Sequence, residues 1–182
     1  MNEQNLREEQ LSSELIYDGR IMRIERDVIR LPGGHEGVRE VMRHVGAVCI
    51  VPVNDQNEIY VERQFRYPFN EVITEIPAGK LDSKAEDPLA AARRELWEET
   101  GLTADTWTSL GLMYSAPAYS DEAIHVFLAT DLHEGASHLD EDEFLFVEKR
   151  PIAAVIEEIM AGKIPDCKTQ MAVLKAARIL ML

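Results

Sequence analysis

Residues 45–53, VGAVCIVPV, form an uninterrupted apolar run nine residues long. A strand with one face in water alternates apolar and polar residues; a run without alternation has to be covered on both faces. A chain built around such a strand needs a layer on either side of its sheet. The same run is the longest apolar stretch present, and it is far short of the ~20 residues that span a bilayer.

The remaining composition narrows the classes. The start, MNEQNLREEQLSSEL, lacks the basic end and apolar stretch of a signal peptide. Cys49 and Cys167 show no CxxC spacing, so neither a disulfide framework nor a zinc knuckle is implied. The expectation is a soluble, cytoplasmic protein in a reducing compartment, with no membrane partner. Its 182 residues suit one domain, or one domain with a small appendage. With 19 Lys+Arg against 33 Asp+Glu, the net charge of -14 repels nucleic acid. It would also repel a small anionic substrate, unless metal ions or local arginines reverse the sign inside one cleft.

Around the central run the first half reads as strands. Residues 21–30 and 38–43 alternate, separated by turn chemistry at Leu31-Pro32-Gly33-Gly34, and 58–65 follows a turn at 54–57. The clearest helix covers 87–100, with Asp87 as N-cap, Pro88 in the first position and Gly101 as the stop. Leu89, Ala92 and Leu96 form its apolar stripe, flanked by Trp97. Short strands are expected at 110–113 and 123–129, and closing helices at 152–160 and 168–180. This order predicts an α+β fold or an α/β/α sandwich, with a mixed or antiparallel sheet, rather than a regular βαβ repeat. The five histidines show no paired ligand spacing, and Met22, Met42, Met160, Met171 and Met181 read as packing residues.

Within the helix, Glu99 lies about 40° from Glu95 and Glu98 about 60° to the other side, so three carboxylates share one face. Two readings stand. One is a solvated surface helix in which Arg94 neutralises Glu98 at i,i+4. The other is a site for a hard cation, Mg²⁺ or Mn²⁺, which takes carboxylate oxygens and leaves room for water and phosphate oxygens.

The string from Gly79 through Glu86 and Arg94-Glu95-Leu96-Trp97-Glu98-Glu99-Thr100-Gly101-Leu102 resembles the Nudix box, G-x5-E-x7-R-E-U-x-E-E-x-G-U. It departs once, with six residues instead of five between Gly79 and Glu86. The resemblance implies a hydrolase of nucleoside diphosphates linked to a second group. It makes Glu95 and Glu99 the principal metal ligands and Glu98 an assistant, with the Ala78 carbonyl as a further ligand. Arg94 would hold Glu86 or Glu98 in place.

Three further strings are similar to the ADP-ribose pyrophosphatase branch of that family: Glu75-Ile76-Pro77-Ala78-Gly79, the segment 61–68 with Arg63, Arg66 and Tyr67, and 115–122 with Pro117. The branch implies that Arg66, with Arg63 beside it, grips the diphosphate. Glu75 would accept from ribose hydroxyls, and Tyr67 or Phe69 would either contact a base or pack. Pro117 would shape a substrate-facing loop. Glu141 in the run 140–143 would be the general base, with Glu143 associated with the metal and Glu98 as the alternative base.

The reading is thus a Nudix fold with an N-terminal antiparallel strand extension over 1–44, swapped in a homodimer, and a catalytic domain over 45–182. The expected reaction is Mg²⁺-dependent hydrolysis of ADP-ribose and related nucleoside-diphosphate sugars to a nucleoside monophosphate and a sugar phosphate. The alternatives are a GDP-mannose-preferring or generalist nucleoside-diphosphate-sugar hydrolase and, in a different class, a non-catalytic ligand sensor.

Overall fold

The computed structural model describes residues 6–138 and 144–182. In chain order the elements are β1 (Glu9–Asp18), β2 (Arg23–Arg30), β3 (Glu36–Arg43), β4 (Ala47–Pro52), β5 (Glu58–Arg66), β6 (Glu71–Glu75), β7 (Ala78–Lys80), α1 (Pro88–Thr100), β8 (Thr103–Tyr114), β9 (Ala123–His133), β10 (Leu145–Pro151), α2 (Ile152–Met160) and α3 (Cys167–Leu180). They form two compact units, one of residues 1–45 with 114–123 and one of 46–113 with 124–182.

The first unit contains an antiparallel sheet in the order β1-β2-β3. Arg43 ties it together, donating from Nε to Glu25 at 2.8 Å and from Nη2 to Asp27 at 2.8 Å. The segment 114–123 is stitched to the end of β3: Met42 N–H donates to the Tyr119 carbonyl at 2.7 Å and His44 N–H to Asp121 at 2.6 Å. Pro117 lies in the turn of this segment, where the Ala116 carbonyl accepts from Ser120 N–H at 2.9 Å.

In the second unit, β4 is the strand that the apolar run predicts, and all six of its residues are buried. It pairs in parallel with β9 and antiparallel with β7, within the order β7-β4-β9-β8, so the sheet is mixed. Alternate residues of β4 feed two separate cores. Cys49 and Val51 pack with Ile152 and Val155 of α2 and with Ala172, Val173 and Ala176 of α3. Val48 and Ile50 pack with Ala91, Ala92 and Leu96 of α1. Burying each Val or Ile side chain contributes ~1.5–3 kcal/mol, enough to fix α1 on one face of the sheet and α2 and α3 on the other. A second antiparallel sheet runs β10-β5-β6.

The helix ends follow their caps. Asp87 accepts from Ala90 N–H at 3.2 Å, and Gly101, at φ 72°, closes α1 by donating to the Trp97 carbonyl at 2.9 Å. β1 lies in the polar start and pairs with β2, although its residues are exposed on both faces and carry no burial pattern. Two expectations are corrected. β8 runs much further than 110–113. Met22, Met160 and Met181 are exposed rather than packed.

Candidate active site

Gly79 sits in β7, hydrogen-bonded along β4, and α1 lies over that strand. A methyl group at Gly79 would fall well inside contact distance of the Glu95 carboxylate, so a side chain there would push that carboxylate off the backbone it rests on. One helical turn on, Glu99 is 5% exposed and accepts from the Ala78 N–H at 3.0 Å. A buried carboxylate needs such donors. Glu98 points further out, with its side chain 35% exposed.

Arg94 binds this group together. Its Nη1 donates to Glu95 at 2.7 Å and to Glu98 at 3.2 Å, and its Nη2 to the Lys80 carbonyl at 3.2 Å and to Glu86 at 3.4 Å. Burial works against the Arg94 cation, but the carboxylates of Glu95, Asp82 and Glu98 together outweigh it and hold the guanidinium above its ordinary value. Glu86 also accepts from Asp82 N–H at 2.5 Å, so the extra residue before it is absorbed within the loop and Glu86 still reaches Arg94.

The donor set is oxygen only: the carboxylates of Glu95, Glu98 and Glu99 and the carbonyl of Ala78, beside a glycine that leaves space for them. That chemistry fits a hard divalent cation. In the observed arrangement Arg94 and the Ala78 N–H hold these carboxylates, and among the described residues no three acidic, histidine or cysteine side chains converge as a ready metal cluster. Glu141 and Glu143 lie outside the described residues. The chain leading towards them is anchored on α1: His138 N–H donates to the Glu98 carbonyl at 2.8 Å, and the His138 ring stacks on Trp97 at 4.2 Å.

Arg66 and Glu75 form a second centre. Glu75 is 3% exposed, and Arg66 forks onto both its oxygens, Nε to Oε1 at 2.5 Å and Nη2 to Oε2 at 2.9 Å. Lys168 of α3 also donates to Oε2. Glu75 is therefore engaged by two cations, because a carboxylate this deep has to be compensated. Its hydrogen bond, working against burial, keeps Arg66 above its ordinary value, with weaker contributions from Asp166 and Glu99.

Arg63 does not join it. Residues three apart on a strand face opposite sides, and the β5–β6 register is unbroken from Glu62 to Arg66. Arg63 instead approaches Glu148 at 4.0 Å and lines an open groove of about 710 Å³ with Glu71, Thr74 and Lys163. Tyr67 and Phe69, at 85% and 72% exposed, do not pack. Pro117 lies in the first unit, apart in the chain from the box residues.

Sequence reading missed Lys168. One signal was present: a cation in a helix's first turn opposes the helix dipole, so a negative partner was to be expected nearby.

Comparison with known families completes the picture. The NUDIX domain model matches residues 42–166, and the nucleoside diphosphate sugar hydrolase N-terminal domain matches 8–42. The chain belongs to the Nudix hydrolase family. It is 38% identical to the ADP-ribose pyrophosphatase of Bacillus subtilis (strain 168), over 93% of this chain and 92% of that protein. It is 40% identical to the ADP-ribose pyrophosphatase of Mycobacterium tuberculosis (strain ATCC 25618 / H37Rv), over 86% of this chain and 76% of the relative. A GDP-mannose pyrophosphatase of Yersinia enterocolitica serotype O:8 / biotype 1B (strain NCTC 13174 / 8081) is 32% identical over 74% of each chain. The crystal structure of an ADP compounds hydrolase superposes with a TM-score of 0.85 at 25% identity, covering 96% of this chain and 95% of that one. The Nudix box thus corresponds to β7, the loop after it and α1.

Proposed function

We propose that this chain hydrolyses the diphosphate linkage of ADP-ribose, and of related nucleoside-diphosphate sugars, to a nucleoside monophosphate and a sugar phosphate. The observation that carries the reading is the packing of the Glu95 carboxylate onto Gly79 beside Glu98 and Glu99, in a chain 38% identical over 93% of its length to an ADP-ribose pyrophosphatase. Glu95, Glu99 and the Ala78 carbonyl, with Glu98 assisting, would hold Mg²⁺ or Mn²⁺. Such a cation, when bound, supplies charge neutralisation of the diphosphate and a water of lowered pKa.

The protein's own groups do the rest. Arg94 holds Glu86, Glu95 and Glu98 at fixed spacing. Arg66, aimed by Glu75, presents its remaining N–H donors to a phosphate oxygen. Tyr67 and Phe69, being exposed, are available to a base, and Pro117 shapes a substrate-facing loop. Glu141 is the proposed general base, with Glu143 beside the metal and Glu98 as the alternative base. The extension 1–44 is proposed to swap between two copies in a homodimer. Leu15, Ile16 and Tyr17 of β1 are exposed, the kind of surface that a partner chain covers. The protein is proposed to act in the cytoplasm.

The test is phosphate release, after added phosphatase, from ADP-ribose, ADP-glucose, GDP-mannose and UDP-glucose, each with and without Mg²⁺. A metal-dependent preference for ADP-ribose supports the reading. Preference for GDP-mannose, the substrate named for the 32% identical relative, favours the second reading. Silence on every compound would leave a non-catalytic sensor. Sedimentation at a single mass of one chain would reject the homodimer.

A further inference from the structure

Lys168 stands in the first turn of α3 with its side chain only 13% exposed. Its ammonium bonds the Glu75 carboxylate and lies 3.0 Å from Asp166. The same turn grips the end of β6 a second time. Ile76 N–H donates to the Thr169 hydroxyl at 3.0 Å, and that hydroxyl donates to Asp166 at 2.6 Å. The helix start therefore holds both the side chain of Glu75 and the backbone of the next residue, two residues before the Ala78–Gly79 strand against which Glu95 and Glu99 of α1 rest.

A buried ion pair is weak evidence for stability, because apolar residues of the same size often replace it without loss. What such a group does well is fix a direction. Oε2 of Glu75 is shared between Arg66 Nη2 and Lys168, so the carboxylate plane has one position that satisfies both cations. Arg66 follows that plane through its two parallel hydrogen bonds. Without the ammonium, Glu75 keeps only its fork with Arg66, so the two can shift together and the guanidinium compensates the buried charge alone.

We propose that Lys168 is a positioning residue for diphosphate recognition: it clamps Glu75 from α3 and so sets the direction in which Arg66 meets the substrate. The inference rests on the hydrolase reading above. Asp166 completes the group, so that two cations and two carboxylates balance and the donors left on Arg66 face an anion without a net negative charge behind them.

The experiment compares wild type with Lys168→Met, Lys168→Arg, Glu75→Gln and the double variant Glu75→Gln/Lys168→Met. KM and kcat for ADP-ribose are measured together with melting temperature. Lys168→Met raises KM about tenfold while kcat stays within about twofold, Lys168→Arg recovers most of the loss, and in the Glu75→Gln background Lys168→Met adds nothing. A KM unchanged in Lys168→Met, with only the melting temperature lowered, overturns the inference; so do additive effects in the double variant. Should Lys168→Met not fold, Lys168→Gln takes its place in the same cycle. If wild type hydrolyses no nucleoside-diphosphate sugar, the hydrolase reading fails on that measurement alone. The positioning inference is then read from calorimetric binding of inorganic pyrophosphate through the same cycle, where unchanged affinity in Lys168→Met overturns it.

Discussion

The Glu95 carboxylate lies on the bare backbone of Gly79, in the space that any side chain there would fill. The pair joins the short strand β7 to the helix α1, and it accounts for a glycine in a strand that otherwise gains nothing from one. Gly79→Ala is therefore expected to push Glu95 off its position against Arg94 while leaving both cores intact. The expected outcome is a fall in kcat of about 10–100-fold, the range seen when the support of a ligand is disturbed. Circular dichroism should match wild type. Activity within twofold of wild type would remove Glu95 from the site.

Glu99 offers a sharper test of the metal assignment. It is buried, yet Gln at the same position keeps the shape and still accepts from the Ala78 N–H through its amide oxygen. Glu99→Gln is expected to fold with a melting temperature close to wild type and to lose at least about 100-fold in turnover, beyond the cost of losing an outer support alone. Mn²⁺ binding, followed by electron paramagnetic resonance, should weaken in parallel. Full turnover with unchanged Mn²⁺ affinity would show that the carboxylate face of α1 is an ordinary helix surface.

Where the sequence was readable, local physics set the outcome. Asp87, Pro88 and Gly101 mark α1 because caps act within one turn, and β4 declared itself because both of its faces are buried. β1 was hidden for the opposite reason: its pairing with β2 is made by backbone groups and leaves no periodic trace in side chains. β7 has only three residues, too few for any period. The engagement of Glu75 is the clearest non-local case. Lys168 stands 93 positions further along the chain, and no spacing rule connects the two. The partition of Arg63 from Arg66 was readable in principle, since strand alternation alone separates them.

His138 and Trp97 are expected to act as an anchor for the chain entering the acidic run. Their rings stack 4.2 Å apart, and Gly101 lies so close to the Gly135 carbonyl that a side chain there would strike residues 135–137. Trp97→Ala removes a stack worth about 1 kcal/mol. It should lower the melting temperature by about 2–4 °C for a chain of this size. Hydrogen exchange should quicken at 135–138 while the buried strand β4 stays protected. Equal protection at 135–138 in both proteins would mean that the stack anchors nothing.

The ionic group at Glu75 predicts a pH signature with a definite sign. Burial pushes the Glu75 carboxyl up, but the Arg66 hydrogen bond and the Lys168 charge outweigh it, so the folded value lies below the ordinary 4.5. Burial likewise opposes the Lys168 ammonium, and Asp166 and Glu75 outweigh that, so its folded value lies above 10.5. A depressed carboxyl contributes stability that is present above 4.5 and is lost as pH falls through the lower folded value. A raised ammonium contributes stability present below 10.5 that is lost as pH rises through the higher folded value. Between those limits the contribution is constant. Glu75→Gln removes the acid limb, so the difference in unfolding free energy between wild type and variant should be flat from about pH 5 to 9 and shrink as pH falls below about 4.5. Urea titrations at stepped pH read this difference directly. A difference that stays constant down to about pH 3 would show that Glu75 is not ionised against Arg66 and Lys168 in the folded protein.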